Sequence, residues 1–84
     1  MPRVMTVDWR IIDPADEQKK EREWRERRDK LAKDGCKHWV FRSPSDPSAY
    51  LEFIEAGDAS VLKGARERAG MEPNDEILTE LELS

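Results

Sequence analysis

His38 is the only histidine among the 84 residues of the chain, and its side chain is the only one that ordinarily titrates near neutral pH. It is therefore the first candidate for a general acid or base. Arg42, four residues further on, has a planar guanidinium that could hold a carboxylate or a phenolate. A structural role is favoured for each: a hydrogen bond from His38 to Glu52 or Asp8, and a salt bridge for Arg42. The catalytic residues are thus unknown, with these two as candidates.

Five aromatic side chains are candidates for binding a flat organic ligand, since ligand pockets are lined largely by apolar and aromatic groups. They are Trp9, Trp24, Trp39, Phe41 and Phe53. Packing in a hydrophobic core is the favoured alternative for each of them. A small aromatic molecule is the ligand class that these residues indicate.

The composition disfavours several classes of site and partner. One histidine and one cysteine are too few ligands for a tetrahedral metal site, and no cofactor is expected. A net charge of −4, with acidic and basic residues interleaved, argues against nucleic acid and anionic membranes as partners. No apolar run approaches the ~20 residues of a membrane span, and the lone Cys36 excludes an internal disulfide. We therefore expect a cytoplasmic protein.

The elements that position these residues follow from the hydrophobic pattern. Period-two alternation predicts strands over residues 4–12, 36–43, 49–55 and 76–83, and capped helical patterns predict helices over 13–35 and 58–70. This βαββαβ order predicts a single ferredoxin-like α+β domain over residues 1–84. Right-handed crossovers would place both helices on one face of a four-stranded antiparallel sheet, with the first and third strands central.

The strands carry large side chains on both faces, so the alternation predicts two residue sets. The more apolar set is expected to form the core under the helices; it comprises Met5, Val7, Trp9, Ile11, Trp39, Phe41, Ala49, Leu51 and Phe53. The mixed set, which also includes Val4, Thr6 and Ile12, is expected to form a homodimer interface, because two helices cover only one face of a sheet. The residues expected at that interface are Asp8, Arg10, His38, Val40, Arg42, Tyr50, Glu52 and Ile54. A solvent-exposed face is the alternative.

The order of elements and the run HWVFRSPSDPSAYLEFIEAGDASVLKGARER resemble the small dimeric α/β-barrel proteins related to the antibiotic biosynthesis monooxygenases. The resemblance covers nearly the whole chain. It implies a homodimer with a ligand pocket between each sheet and its own helices. It does not by itself imply an activity, since one fold hosts many functions.

The oxygenases of that family typically use an asparagine from the sheet together with tryptophan and histidine or arginine. The only asparagine here, Asn74, lies in the loop before the fourth predicted strand. Two hypotheses therefore stand. The first is a ligand-binding or structural module without chemistry of its own. The second is a cofactor-independent monooxygenase-like enzyme acting on an aromatic or polyketide-like metabolite.

Overall fold

The computed structural model describes residues 2–83. Its elements in chain order are β1 (Val4–Ile11), a 3-10 turn (Pro14–Asp16), α1 (Glu17–Lys33), β2 (Lys37–Arg42), β3 (Ala49–Ala56), α2 (Ala59–Arg68) and β4 (Leu78–Thr79). The strands form one antiparallel sheet in the order β2-β3-β1-β4. The predicted ferredoxin-like arrangement is confirmed, including the central position of β1 and β3.

Helix α2 begins at its predicted cap, whereas α1 begins at Glu17, after a 3-10 turn that the predicted cap Asp13 precedes; both helices end just before the predicted glycines. The side chain of Asp13 accepts a hydrogen bond from the Ala15 amide at the start of the 3-10 turn, and Asp58 caps α2 by accepting from the amides of the next turn. Gly35 and Gly70 follow the two helices with φ of 77° and 74°. This left-handed conformation favours glycine, and it turns the chain directly into the segment that follows each helix.

The fourth strand is much shorter than the alternation predicts. Only Leu78 and Thr79 pair with β1, opposite Met5 and Val4. On the C-terminal side the pairing ends near the start of β1, where the Glu80 amide donates to the backbone oxygen of Arg3. On the N-terminal side the Ile77 amide donates to Asp75, and the backbone oxygen of Val7 accepts from Asn74 Nδ2, so residues 76 and 77 do not pair with β1. Residues 80–83 are exposed and have no regular secondary structure.

The helices cover the opposite face of the sheet from the one predicted. Trp9, Ile11 and Phe41, expected in the core, are 65%, 73% and 56% exposed, whereas Glu52 and Ile54 are fully buried. The prediction of the two faces is therefore wrong. Alternation shows which residues share a face of a strand, but it carries no information about which face the helices pack against.

The helix-covered side contains two apolar clusters. The larger one lies under α2 and the C-terminal half of α1; it comprises Val4, Leu31, Cys36, Ile54, Ala56, Leu62, Ala65 and Met71. The smaller one consists of Ile12, Trp24 and Tyr50, with Val40 packed against it. Charged side chains on the same face of the sheet are buried together with these apolar groups.

The other side of the sheet, here called the open face, has no helix on it. The register of the strand pairs gives its large apolar residues: Met5, Val7, Trp9 and Ile11 of β1, Trp39 and Phe41 of β2, Leu51 and Phe53 of β3, and Leu78 of β4. Ala49, Lys37 and Glu55 lie on the same face. Phe41 and Phe53 pack edge to face with ring centroids 5.5 Å apart. The open face is thus a continuous apolar and aromatic surface.

Candidate functional site

A buried carboxylate lies beneath the helices on the central strand β3. Glu52 accepts hydrogen bonds from Nε2 of His38 at 2.7 Å and from Nε of Arg10 at 3.3 Å. Arg27 of α1 donates from Nη1 to both carboxylate oxygens, at 2.8 and 2.7 Å. These four residues, here called the Glu52 cluster, connect α1 with β1, β2 and β3.

The surroundings of Glu52 keep its carboxylate ionised. Burial by itself raises the pKa of Glu52, but the hydrogen bonds from His38 and Arg27 and the charge of Arg27 outweigh burial and lower the pKa to about 2. Since His38 Nε2 faces an anion, that nitrogen carries the proton. Nδ1 of His38 is buried and has no partner among the described residues. His38 is therefore held as a donor to Glu52, away from solvent.

A second ion pair, here called the Arg66 cluster, attaches α2 to the sheet. Arg66 donates to both carboxylate oxygens of Asp8, at 2.7 and 3.1 Å, and to Thr6 Oγ1 at 2.9 Å. It also donates to the backbone oxygen of Glu72 at 2.8 Å. Asn74 adds a hydrogen bond from Nδ2 to Asp8 at 3.2 Å. The guanidinium thus joins β1 to α2 and to the loop after it.

Two open clefts lie on either side of Trp24. The first, here called the Arg cleft, has a volume of about 430 Å³ and runs between α1, the end of β1 and the chain after α2. Its lining residues are Trp9, Arg10, Ile11, Ile12, Lys20, Glu23, Trp24, Arg27, Gly70, Met71 and Glu72. The second, of about 410 Å³, lies between α1 and the edge of the sheet and includes Glu17, Arg42 and Tyr50. Both are within the size range of small-ligand sites.

The predicted aromatic pocket does not form within the protomer. Trp9, Trp39, Phe41 and Phe53 lie on the open face, while Trp24 lies on the other side of the sheet, with its ring 5.4 Å from that of Tyr50. The sheet separates Trp24 from Trp39, Phe41 and Phe53, and of the four open-face rings only Trp9, near the end of β1, lines a cleft together with Trp24. The prediction of a common site for all five rings is wrong for this reason.

Most residues predicted for the dimer interface are used inside the protomer. Beneath the helices lie Asp8, Arg10, His38, Val40, Tyr50, Glu52 and Ile54, where they contact α1, α2 or each other. Arg42 is exposed at the end of β2, where it pairs with Glu17 and stands 5.6 Å from the Tyr50 ring centre. Because the helices cover the mixed face, an interface on the uncovered side of the sheet would be formed by the open face instead.

Arg27 is a site residue that the pattern predicts only when its place on α1 is considered. It follows Trp24 by three residues and precedes Leu31 by four, so it lies on the buried stripe of the helix. An arginine on that stripe needs an acceptor in the sheet, because a buried unpaired charge is costly. Of the two strand faces, only the one carrying Glu52 supplies a carboxylate at mid-strand.

Neither the lone cysteine nor the potential metal ligands form a reactive site in the part of the chain that the structure describes. Cys36 is buried, and burial together with the nearby Asp34 charge raises the pKa of its thiol, which opposes formation of a thiolate. Among residues 2–83 there is no group of three or more histidine, cysteine and acidic side chains placed to hold a metal ion. No helix in these residues is long and apolar enough to cross a membrane.

Comparisons with protein-family models, with curated proteins and with solved structures give no significant match. The resemblance to the dimeric α/β-barrel proteins therefore stays an expectation from the sequence. Two features of the molecule bear on its function: the open face, and the charged interior with its clefts.

Proposed function

We propose that the chain is a homodimeric α/β-barrel module that binds a small ligand and has no chemistry of its own. In this dimer, the open face of each protomer packs on the open face of a second copy. The observation that carries the proposal is the exposure of Trp9, Ile11 and Phe41 on one continuous sheet face. Soluble monomers rarely leave so many large apolar side chains together in water.

The charges at one end of the open face suit contact with an identical copy. Lys37 lies opposite Glu55 in the strand register, and Glu55 is also paired with Arg3. Both signs of charge therefore occur side by side at that end. A two-fold interface brings the same patch of each protomer together, so it requires a surface that is complementary to itself. An apolar area flanked by charges of both signs meets that requirement.

The positions of the buried His38 and Glu52 support a binding role over a catalytic one. His38 and Glu52 are hydrogen-bonded to each other under the helices, and neither lines a cleft. A general acid or base must reach its substrate within hydrogen-bonding distance. Both clefts instead present partly exposed arginines beside Trp24, an arrangement that favours holding a ligand over transforming it.

The dimer is tested by measuring the solution mass of wild type and of Phe41→Glu by light scattering at micromolar concentration. With about 200 Å² for a phenylalanine ring and 56% of Phe41 exposed, covering the ring removes roughly 110 Å² of apolar surface. At ~25 cal/mol per Å² this is worth about 3 kcal/mol per protomer. Symmetry doubles the effect, so the variant should dissociate roughly 10⁴-fold more readily.

Val61→Glu is the matched control, because Val61 is 40% exposed on α2, away from the open face. We expect wild type and Val61→Glu to have the mass of a dimer, and Phe41→Glu that of a monomer. A wild type that is monomeric at this concentration would contradict the proposed dimer. Equal masses for the two variants would show that Phe41 is not at the interface.

The second proposal is the cofactor-independent oxygenase acting on an aromatic or polyketide-like metabolite. The observation that favours it is the position of Trp24 beside two clefts large enough for a ring system. Such a reaction needs mainly desolvation and orientation of an electron-rich substrate. Oxygen uptake with anthrone-like or quinol substrates tests it directly, and uptake that disappears in Trp24→Ala but persists in Val61→Ala would replace the binding role with catalysis.

A further inference from the structure

We propose that the Arg cleft is a binding site for a small aromatic monocarboxylate. The inference deepens the proposed ligand-binding role and rests on it, but it does not depend on the dimer. It starts from two arginines, Arg10 and Arg27, whose side chains are only 31% and 24% exposed and which both line the cleft.

Glu52 holds the two guanidinium groups on one side, and each group retains N–H donors without a partner among the described residues. Arg10 donates to Glu52 through Nε, and Arg27 donates to it through Nη1. Among the described residues these are the only hydrogen bonds of the two guanidinium groups. Both Nη atoms of Arg10, together with Nε and Nη2 of Arg27, are therefore available to a ligand. Because Glu52 already restricts both side chains, a ligand that uses these donors loses less free energy to their ordering.

The charge at the floor of the cleft favours a single negative charge on the ligand. Arg10 and Arg27 carry two positive charges, and the ionised Glu52 beneath them neutralises one. Lys20, at the wall, is already paired with Glu23 at 3.0 Å. Glu72, the remaining charged residue of the lining, is exposed, so the lining and Glu52 together are neutral but one positive charge is uncompensated at the partly buried floor, where solvent screening is reduced. A dianion such as a phosphate monoester would bring a second negative charge near the Glu23 and Glu72 carboxylates, and only one positive charge at the floor would offset it.

The shape and the walls of the cleft define the rest of the ligand. Planar guanidinium donors match the two oxygens of a carboxylate in a bidentate contact. Trp24, Ile12 and Met71 form apolar walls beside them. The volume of about 430 Å³ is near the lower end for ligand sites. These features together indicate one aromatic ring bearing one carboxylate.

The experiment compares benzoate with its neutral analogue benzamide by titration calorimetry on the full chain. We expect benzoate to bind at least about tenfold more tightly, since a charge-assisted hydrogen bond is worth more than about 1.5 kcal/mol. Added salt should weaken benzoate binding and leave benzamide unaffected. Equal affinity for the two compounds would overturn the anion class while keeping a ligand site. Binding of neither compound at millimolar concentration would overturn the inference, and the proposed ligand-binding role would then be tested with other ligands.

Arg10→Gln is the variant of choice, because Arg10 makes the longer contact with Glu52 and leaves Arg27 and His38 in place. Arg68→Gln removes the same charge from an exposed ion pair with Asp34 and lines no cleft, so it is the matched control. We expect benzoate affinity to fall about tenfold in Arg10→Gln and by less than about twofold in the control. Circular dichroism establishes that both variants are folded. Unchanged affinity in folded Arg10→Gln would refute the site, whatever the mass of the protein.

Discussion

Replacing Glu52 by glutamine removes the negative charge at the centre of the Glu52 cluster while nearly preserving the size of the side chain. In wild type, the carboxylate accepts every hydrogen bond offered by His38, Arg27 and Arg10. The glutamine amide keeps one accepting oxygen and turns a pair of N–H donors toward groups that are donors themselves. We expect Glu52→Gln to destabilise the fold strongly at neutral pH.

The magnitude follows from the pKa of Glu52. Lowering that pKa from 4.5 to about 2 corresponds to about 3 kcal/mol, at about 1.36 kcal/mol per pH unit. Partial solvation of Arg10 and Arg27 reduces this value, because their exposed ends can be rehydrated. Removing one partner of a buried ion pair costs about 3–5 kcal/mol in other proteins. A loss of about 2–4 kcal/mol in the free energy of unfolding is therefore expected.

The dependence on pH identifies the carboxylate as the source of the effect. The folded-state pKa lies below the unfolded value, so the stabilisation is complete above about pH 4.5 and is lost as the pH falls toward about 2. Urea unfolding of wild type and Glu52→Gln at fixed protein concentration, at pH 7 and pH 3, measures this. The difference between the two proteins should shrink at pH 3. Glu21→Gln, which breaks an exposed pair with Arg25, should change stability by less than about 0.5 kcal/mol at either pH.

Two results would refute this reasoning about Glu52. One is a difference between wild type and Glu52→Gln that stays constant from pH 7 to pH 3, since the effect would then not arise from ionisation of Glu52. The other is a difference at pH 7 as small as that of Glu21→Gln. Glu52 would in that case contribute no more than a surface ion pair, despite being fully buried.

Two further predictions concern the core and a helix end. Leu62→Ala should lower the free energy of unfolding by about 2–5 kcal/mol, because the Leu62 side chain of α2 is fully buried. Val61→Ala, at the exposed neighbouring position, should change it by less than about 0.5 kcal/mol. Similar losses of stability in the two variants would contradict the assignment of the buried stripe of α2. Gly35→Ala should lower the free energy of unfolding by about 1 kcal/mol because of the positive φ alone, since no atom lies within 4 Å of the added methyl group. Gly57→Ala, where the added methyl group has equal space and φ is not positive, should not be destabilising. Equal losses of stability at the two positions would refute the conformational explanation.

The order and type of the elements could be predicted from the sequence because they depend on local signals. Asp13 and Asp58 mark helix starts, Gly35 and Gly70 mark helix ends, and β-branched alternation marks the strands. The length of β4 could not be predicted, because it depends on the register with β1 and on hydrogen bonds that Asn74 and Ile77 make in the preceding loop. Local pattern fixes an element, whereas its partners are fixed by tertiary contacts.

Prediction of the sheet face that the helices cover requires the patterns of the helices and the strands together. The candidate site depends on that face. Hydrophobicity of the strands alone favours burying Trp9 and Phe41 under the helices, and the structure does the reverse. The deciding residues are on the helices: Arg66 follows Leu62 by four residues and so shares its buried stripe. Such an arginine needs a carboxylate opposite it, and Asp8 lies on the mixed face.

The choice of face can be understood as a comparison between two arrangements. If the helices covered the apolar face, Arg27 and Arg66 would be buried against aromatic rings without acceptors, at a cost of several kcal/mol each. Covering the mixed face pairs both arginines with carboxylates and leaves apolar surface exposed, a cost that the proposed dimer removes because the second copy buries that surface. In some proteins buried ion pairs contribute little net stability compared with apolar packing but select one arrangement over its alternatives, and we propose this role for the two ion pairs here. Arg27 and Arg66 thus direct the apolar face outward, where a second copy can bind it.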